Sequence, residues 1–178
     1  MTRAEKLERL IARGTTTQLV DYVINNDQLF KSLIDTYIAG PYRTTQRLAD
    51  AVTEIAITNA KLIRPHWGTL IKALTHQEAT VALKRNTIRM MQFVSIPSTH
   101  QGKVWDLCFR FLLDRSETIA VKVFAMSVAE ILSRNIRELR QELVIVIEDQ
   151  LPYSGPAFRS RAAKVLKALR DGGKINAR

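Results

Sequence analysis

The side chains that could do chemistry are few and scattered. His66, His76 and His100 fall at no ligand spacing, and no HExxH occurs; zinc needs three or four converging donors. Cys108 is the single cysteine. It excludes an intrachain disulfide and any multi-cysteine metal site, and it reads as a small buried apolar residue. GxSxG, the Walker phosphate loop and GxGxxG are all absent, so neither a serine nucleophile nor a nucleotide cradle is marked. The expectation is a non-enzymatic chain with no cofactor, no metal and no small-molecule substrate. What remains is charge: 27 Lys and Arg against 17 Asp and Glu, a formal net charge of +10. The densest stretch holds Arg159, Arg161, Lys164, Lys167, Arg170, Lys174 and Arg178 against Asp171. A surface this basic attracts polyanions, whether acidic protein, nucleic acid or anionic membrane.

The chain has 178 residues, enough for one core that buries roughly 70% of the unfolded surface. Hydrophobic residues at 46% and charged residues at 25% are ordinary globular values. Seven Gly and five Pro leave room for few and short loops. The N-terminal ten residues alternate in charge and carry no apolar leader. The longest apolar run, Leu143–Ile147, is far short of the roughly 20 residues that span a bilayer. A soluble, cytoplasmic chain is the expectation.

Apolar residues recur at spacings of three and four, which predicts helices almost throughout. The expected spans are 3–12, 16–25, 27–39, 42–62, 66–74, 76–94, 99–113, 117–133, 136–151 and 156–170. Thr15-x-x-Gln18, Thr75-x-x-Glu78, Ser98-x-x-Gln101 and Asn135-x-x-Glu138 have the form of capping boxes. Gly40-Pro41, Pro65, Pro97, Pro152 and Gly155-Pro156 supply the breaks. Leu143–Ile147 is rich in β-branched residues but falls where the repeat below requires a helix. The tail 171–178, with Gly172-Gly173, is expected to fray.

The helices pair as A then B, and the pairs recur. In the A helices Leu29, Trp67, Trp105 and Leu143 stand 38 apart, as do Leu33, Ile71, Phe109 and Ile147. In the B helices Ala49, Thr87, Ala125 and Ala162 form a column of small residues. Val52, Met90, Val128 and Val165 form a second, and Ala56, Val94, Leu132 and Leu169 a third. Thr87 is the only polar member. One hairpin cannot bury its own apolar face, whereas stacked hairpins share a continuous core.

Val121-Lys-Val-Phe-Ala125 followed by Val128-Ala129 and Ile131-Leu132 resembles the B helix of HEAT repeats, in the armadillo-like α-solenoid class. Phe158-Arg-Ser-Arg-Ala162-Ala163-Lys-Val165-Leu166 is similar, Leu83-Lys-Arg-Asn-Thr87 less so, and the first repeat has Gln46 at the basic position. The resemblance covers about 27–170. It implies an all-α, right-handed α-α superhelix of about four hairpins forming a single domain, with residues 1–26 as an N-terminal helical cap.

The resemblance also implies that the B helices line a concave binding face. There Gln46, Lys84, Lys122 and Arg159 form a basic row beside Asp50, Ile88, Met126 and Ala163, with Glu54, Gln92, Glu130 and Lys167 beyond. The leading expectation is a scaffold that recognises an acidic protein or peptide through Lys84, Arg85, Arg89, Lys122, Arg159 and Lys164. The alternative is nucleic-acid binding. HEAT-like alkylpurine DNA glycosylases hold a damaged nucleotide with tryptophans and an aspartate in a basic cleft, and Trp67, Trp105 and Asp106 are of those types. Both tryptophans nevertheless sit at a core position of the A helices, where packing is their expected role.

Overall fold

The computed structural model describes residues 1–175, with side chains to Asp171. Among the described residues there are helices and no strands. The helices are α1 (Arg3–Arg13), α2 (Thr16–Val23), α3 (Asp27–Ala39), α4 (Tyr42–Thr58), α5 (Ala60–Ile63) and α6 (Trp67–Thr75). They continue with α7 (Val81–Met90), α8 (Ser98–Leu113), α9 (Ile119–Ser133), α10 (Arg137–Gln150) and α11 (Pro156–Ile175). Short 3-10 turns, Arg64–His66 and Leu151–Tyr153, precede α6 and follow α10. The all-α class is as the periodicity predicts, and Leu143–Ile147 lies within α10. The chain gathers into two compact units, Met1–His100 and Gln101–Arg178.

In the first unit, polar side chains start the helices by accepting from backbone N–H groups that have no helical partner. Thr2 with Glu5, and Thr15 with Gln18, close full capping boxes on α1 and α2. The Asn26 amide oxygen accepts from Leu29 N–H at 2.9 Å to open α3. Helix α1 packs on α3, and α2 on α4, so the first two helices stack on the next hairpin A upon A and B upon B. Arg47 of α4 fastens this arrangement by donating to the carbonyl oxygens of Leu10, Ile11 and Ala12. A cation there meets the negative end of the α1 dipole.

Several expected boundaries move, each for a local reason. The span 42–62 breaks at Asn59, whose backbone leaves the helical region while its amide donates to the Ile24 carbonyl at 2.9 Å. Thr75 does not start a helix: its hydroxyl donates to Lys72 O at the end of α6, and Thr80 caps α7 instead. Nor does Asn135 cap α10, where Ile136 takes that place. The last helix does not stop at Arg170 but runs to Ile175; positions 176–178 of the expected frayed tail lie outside the described residues. Gly40 is required by close approach, since a Cβ there would sit 2.6 Å from Thr36 O.

The columns are the core. Every member is buried except Leu132, which is half-buried. Within the first unit α4 packs on α7, and within the second α9 packs on α11. Ala49 of α4 is buried, as are Ala125 of α9 and Ala162 of α11, both 0% exposed. The polar exception is explained by Tyr37 of α3, whose hydroxyl pairs with the Thr87 hydroxyl at 2.9 Å in the interior. The phenol's pKa is pushed up to about 12, chiefly by burial, although the bond to Thr87 and the nearby Arg89 charge pull the other way.

Two predictions follow from this packing. Ala162→Leu overfills the α9–α11 contact and should lower stability by about 2 kcal/mol in urea unfolding, whereas Ala163→Leu, on the exposed neighbour, should change it by less than about 0.5 kcal/mol. Tyr37→Phe leaves the Thr87 hydroxyl without its partner and should cost about 1 kcal/mol at neutral pH. Because the buried phenol ionises later than that of the unfolded chain, wild-type stability is lost as pH rises from about 10 towards 12. The wild-type advantage over Tyr37→Phe should therefore be lost as pH rises across that window.

Candidate functional site

The six expected contact residues meet three different fates. On α7, Lys84, Arg85 and Arg89 are half-buried. Arg85 donates to the Gln46 amide oxygen on α4, which also accepts from Asn86 at 3.3 Å. Arg89 forms an ion pair with Asp50 of α4. These two arginines thus tie one B helix to the next. The surface beside them is acidic and apolar: Asp50, Glu54 and Arg89 surround a cavity of about 310 Å³ with the exposed Ile57 and Phe93. Ile88 and Met126, considered as an apolar row of the binding face, are 0% exposed and belong to the core.

On α11 the cations stand outward. Arg159, Lys164, Lys167 and Arg170 are exposed, with Ala163 exposed among them. Arg159 donates to Pro152 O at 3.4 Å, and Arg170 pairs with Glu148 of α10 at 2.9 Å.

Lys122 behaves differently. It is only 8% exposed, yet among the described residues no side chain forms a hydrogen bond or ion pair with it. Its stem is covered while its ammonium opens into a cavity of about 670 Å³. The cavity lies where the hairpin turns of the second unit meet. The end of α8, the turn 114–118 and the first turn of α9 form one wall; the end of α10, the 3-10 turn and the first turn of α11 form the other.

Local hydrogen bonds fix the first wall. The Asp114 carboxylate accepts from Ser116 N–H at 2.8 Å and from its hydroxyl at 2.7 Å. The Glu117 carboxylate accepts from Thr118 N–H at 2.9 Å, and the Thr118 side chain caps α9. That cap places Lys122 in the opening turn of the helix, one turn above the cavity wall. Burial pulls the Lys122 pKa down, and the carboxylates of Asp114 and Glu117 oppose the shift without cancelling it. The positive end of α9 acts in the same direction as burial.

The rim could not be found from the repeat alone. Leu113 (60% exposed), Ile119 (44%) and Tyr153 (92%) are large apolar side chains left open around the cavity. Arg115 adds a second cation and Asp149, exposed, an acid. Their signal in the sequence is apolar residues flanking turns, which column counting does not score.

The HEAT repeat domain family matches residues 3–169. The chain belongs to this family. The match takes in α1 and α2, the two helices expected as an N-terminal cap of the same domain. No curated protein and no solved structure matches the chain. A HEAT repeat domain is a helical scaffold suited to protein interaction, with stacked hairpins presenting long faces to a partner.

Several side chains with chemical potential lie outside the cavity in this HEAT repeat domain. Trp67 and Trp105 are buried, Trp105 lying against Phe109 with ring centroids 4.4 Å apart, while Asp106 is exposed. Cys108 is 0% exposed, and burial pushes its thiol far above the ordinary cysteine range, so it is not poised as a nucleophile. His66 lies edge-on to Phe30 at 5.6 Å, and desolvation lowers its pKa. Among the described residues no three His, Cys, Asp or Glu side chains are grouped to hold a metal. No helix among them is long and apolar enough to cross a membrane.

The covered stem of Lys122 and the two carboxylates near it fix what substitution should do. Lys122→Glu places a carboxylate beside Asp114 and Glu117 and should lower stability by about 2 kcal/mol. That differs from the outcome expected for a solvated groove lysine, which would tolerate reversal. Lys164→Glu, exposed on α11, should unfold at the wild-type denaturant midpoint.

Proposed function

We propose that this HEAT repeat domain is a non-enzymatic scaffold that holds an acidic protein segment against its B-helix side. The observation that carries this reading is the outer face of α11, where Arg159, Lys164 and Lys167 are exposed around Ala163. Long aliphatic stems and a methyl give grip, and the charged heads orient an acidic strand or helix. The net charge of +10 supports steering of such a partner from a distance. In the other unit, Arg85 and Arg89 of α7 are engaged with α4. Lys122 contributes from its cavity.

Fluorescence anisotropy with a labelled peptide rich in Asp, Glu and Leu, and in parallel with labelled duplex DNA, tests the reading. The peptide should bind, and Arg159→Glu combined with Lys164→Glu should weaken it roughly tenfold at an unchanged unfolding midpoint. Binding of DNA alone, with an affinity that falls steeply as salt rises, would replace the acidic protein with nucleic acid.

A further inference from the structure

We propose that the cavity at the hairpin turns of the second unit is an anchor pocket for one carboxylate side chain of the partner, seated on Lys122 beside an apolar residue held by the rim. The proposal rests on the acidic-segment reading and adds to it a location and a chemical motif.

Lys122 is the central argument. A lysine with its stem buried and its ammonium facing a cavity without a hydrogen bond contributes little to the fold, because burial costs it hydration that the nearby carboxylates do not fully offset. The nearby Asp114 and Glu117 already serve the turn through Ser116 and Thr118. The first turns of α9 and α11 both border the cavity, through Ile119 and Phe158, so two positive helix ends add to the ammonium. An incoming carboxylate would give the ammonium a directly hydrogen-bonded partner, which Asp114 and Glu117 do not.

The rim determines what carries that carboxylate. Leu113, Ile119 and Tyr153 offer apolar surface that an inorganic anion or a phosphate would not use. An acidic residue next to a large aliphatic or aromatic one satisfies both the floor and the rim. An exposed aromatic at the mouth of a pocket is a common anchor in protein interfaces. Asp149, exposed at the edge, disfavours a partner that is acidic along its whole length and favours one acidic group beside an apolar group. A second copy of this chain is a poor occupant, because two molecules of charge +10 repel.

The test compares wild type, Lys122→Met and Tyr153→Ala for binding of the labelled Asp/Glu/Leu peptide, with urea unfolding measured on each. Lys122→Met keeps the stem and removes the charge, so its unfolding midpoint should be unchanged or higher while affinity falls roughly tenfold. Tyr153→Ala should weaken binding several-fold with no change in the midpoint. In wild type, the side-chain NMR signal of Lys122 should shift on peptide addition and its titration should move to higher pH. Wild-type affinity in Lys122→Met, with binding still lost in Arg159→Glu/Lys164→Glu, would overturn the anchor pocket and leave the acidic-segment reading standing. No peptide binding by the wild-type protein would overturn both.

Discussion

The fold depends on how closely one B helix can approach the next. Ala49 on α4, and Ala125 with Ala162 across the α9–α11 contact, keep the backbones near enough for the larger Val, Met and Leu columns on either side to interlock. Where the column carries Thr87, the polar atom is not left orphaned, because Tyr37 brings a hydroxyl to it from α3. Within each unit, the small residue of each B helix therefore bears on how closely α4 meets α7 and α9 meets α11. A hairpin with a bulkier residue there would have to tilt or part from its neighbour.

Close approach in the middle of the helices has a consequence at their ends. The A-to-B turns of the second unit, 114–118 and 151–155, lie outside the helical period and do not interlock as the columns do. In the second unit the turn 114–118 and the 3-10 turn after α10 leave a cavity of about 670 Å³ between them. The residue at that level in a B helix is the one in its first turn, and in α9 this is Lys122. Tight packing along the column and an open pocket at the turns are two results of the same stacking.

The amino-acid sequence makes the columns legible because burial repeats with the helix period, and both tryptophans fall where their column puts them. Helix starts were less readable. Thr75 and Asn135 have the residue types of a cap, yet Thr80 and Ile136 hold those positions, since a capping box is a pattern that polar turns also meet by chance. The break at Asn59 depends on an amide reaching Ile24, a contact 35 residues away along the chain that no local pattern records. The candidate site was half legible. Lys122 stood in the basic row, but its burial and its cavity come from turns whose shape the period does not specify, and Arg115 and Tyr153 lie outside every column.

The basic row itself shows why register alone does not assign function. Lys84, Lys122 and Arg159 are each the fourth residue of their helix, α7, α9 and α11. A cation so near a helix N-terminus is unfavourable by the dipole, so each position needs some compensation. Lys84 is half-buried and Arg159 stays exposed and finds the Pro152 carbonyl. On α7 the neighbouring Arg85 and Arg89 are answered by Gln46 and Asp50. Lys122 is the most buried of the row and has no such partner among the described residues. A methionine would fill the same volume without that penalty, and the charge at this position is what the proposed anchor pocket would use.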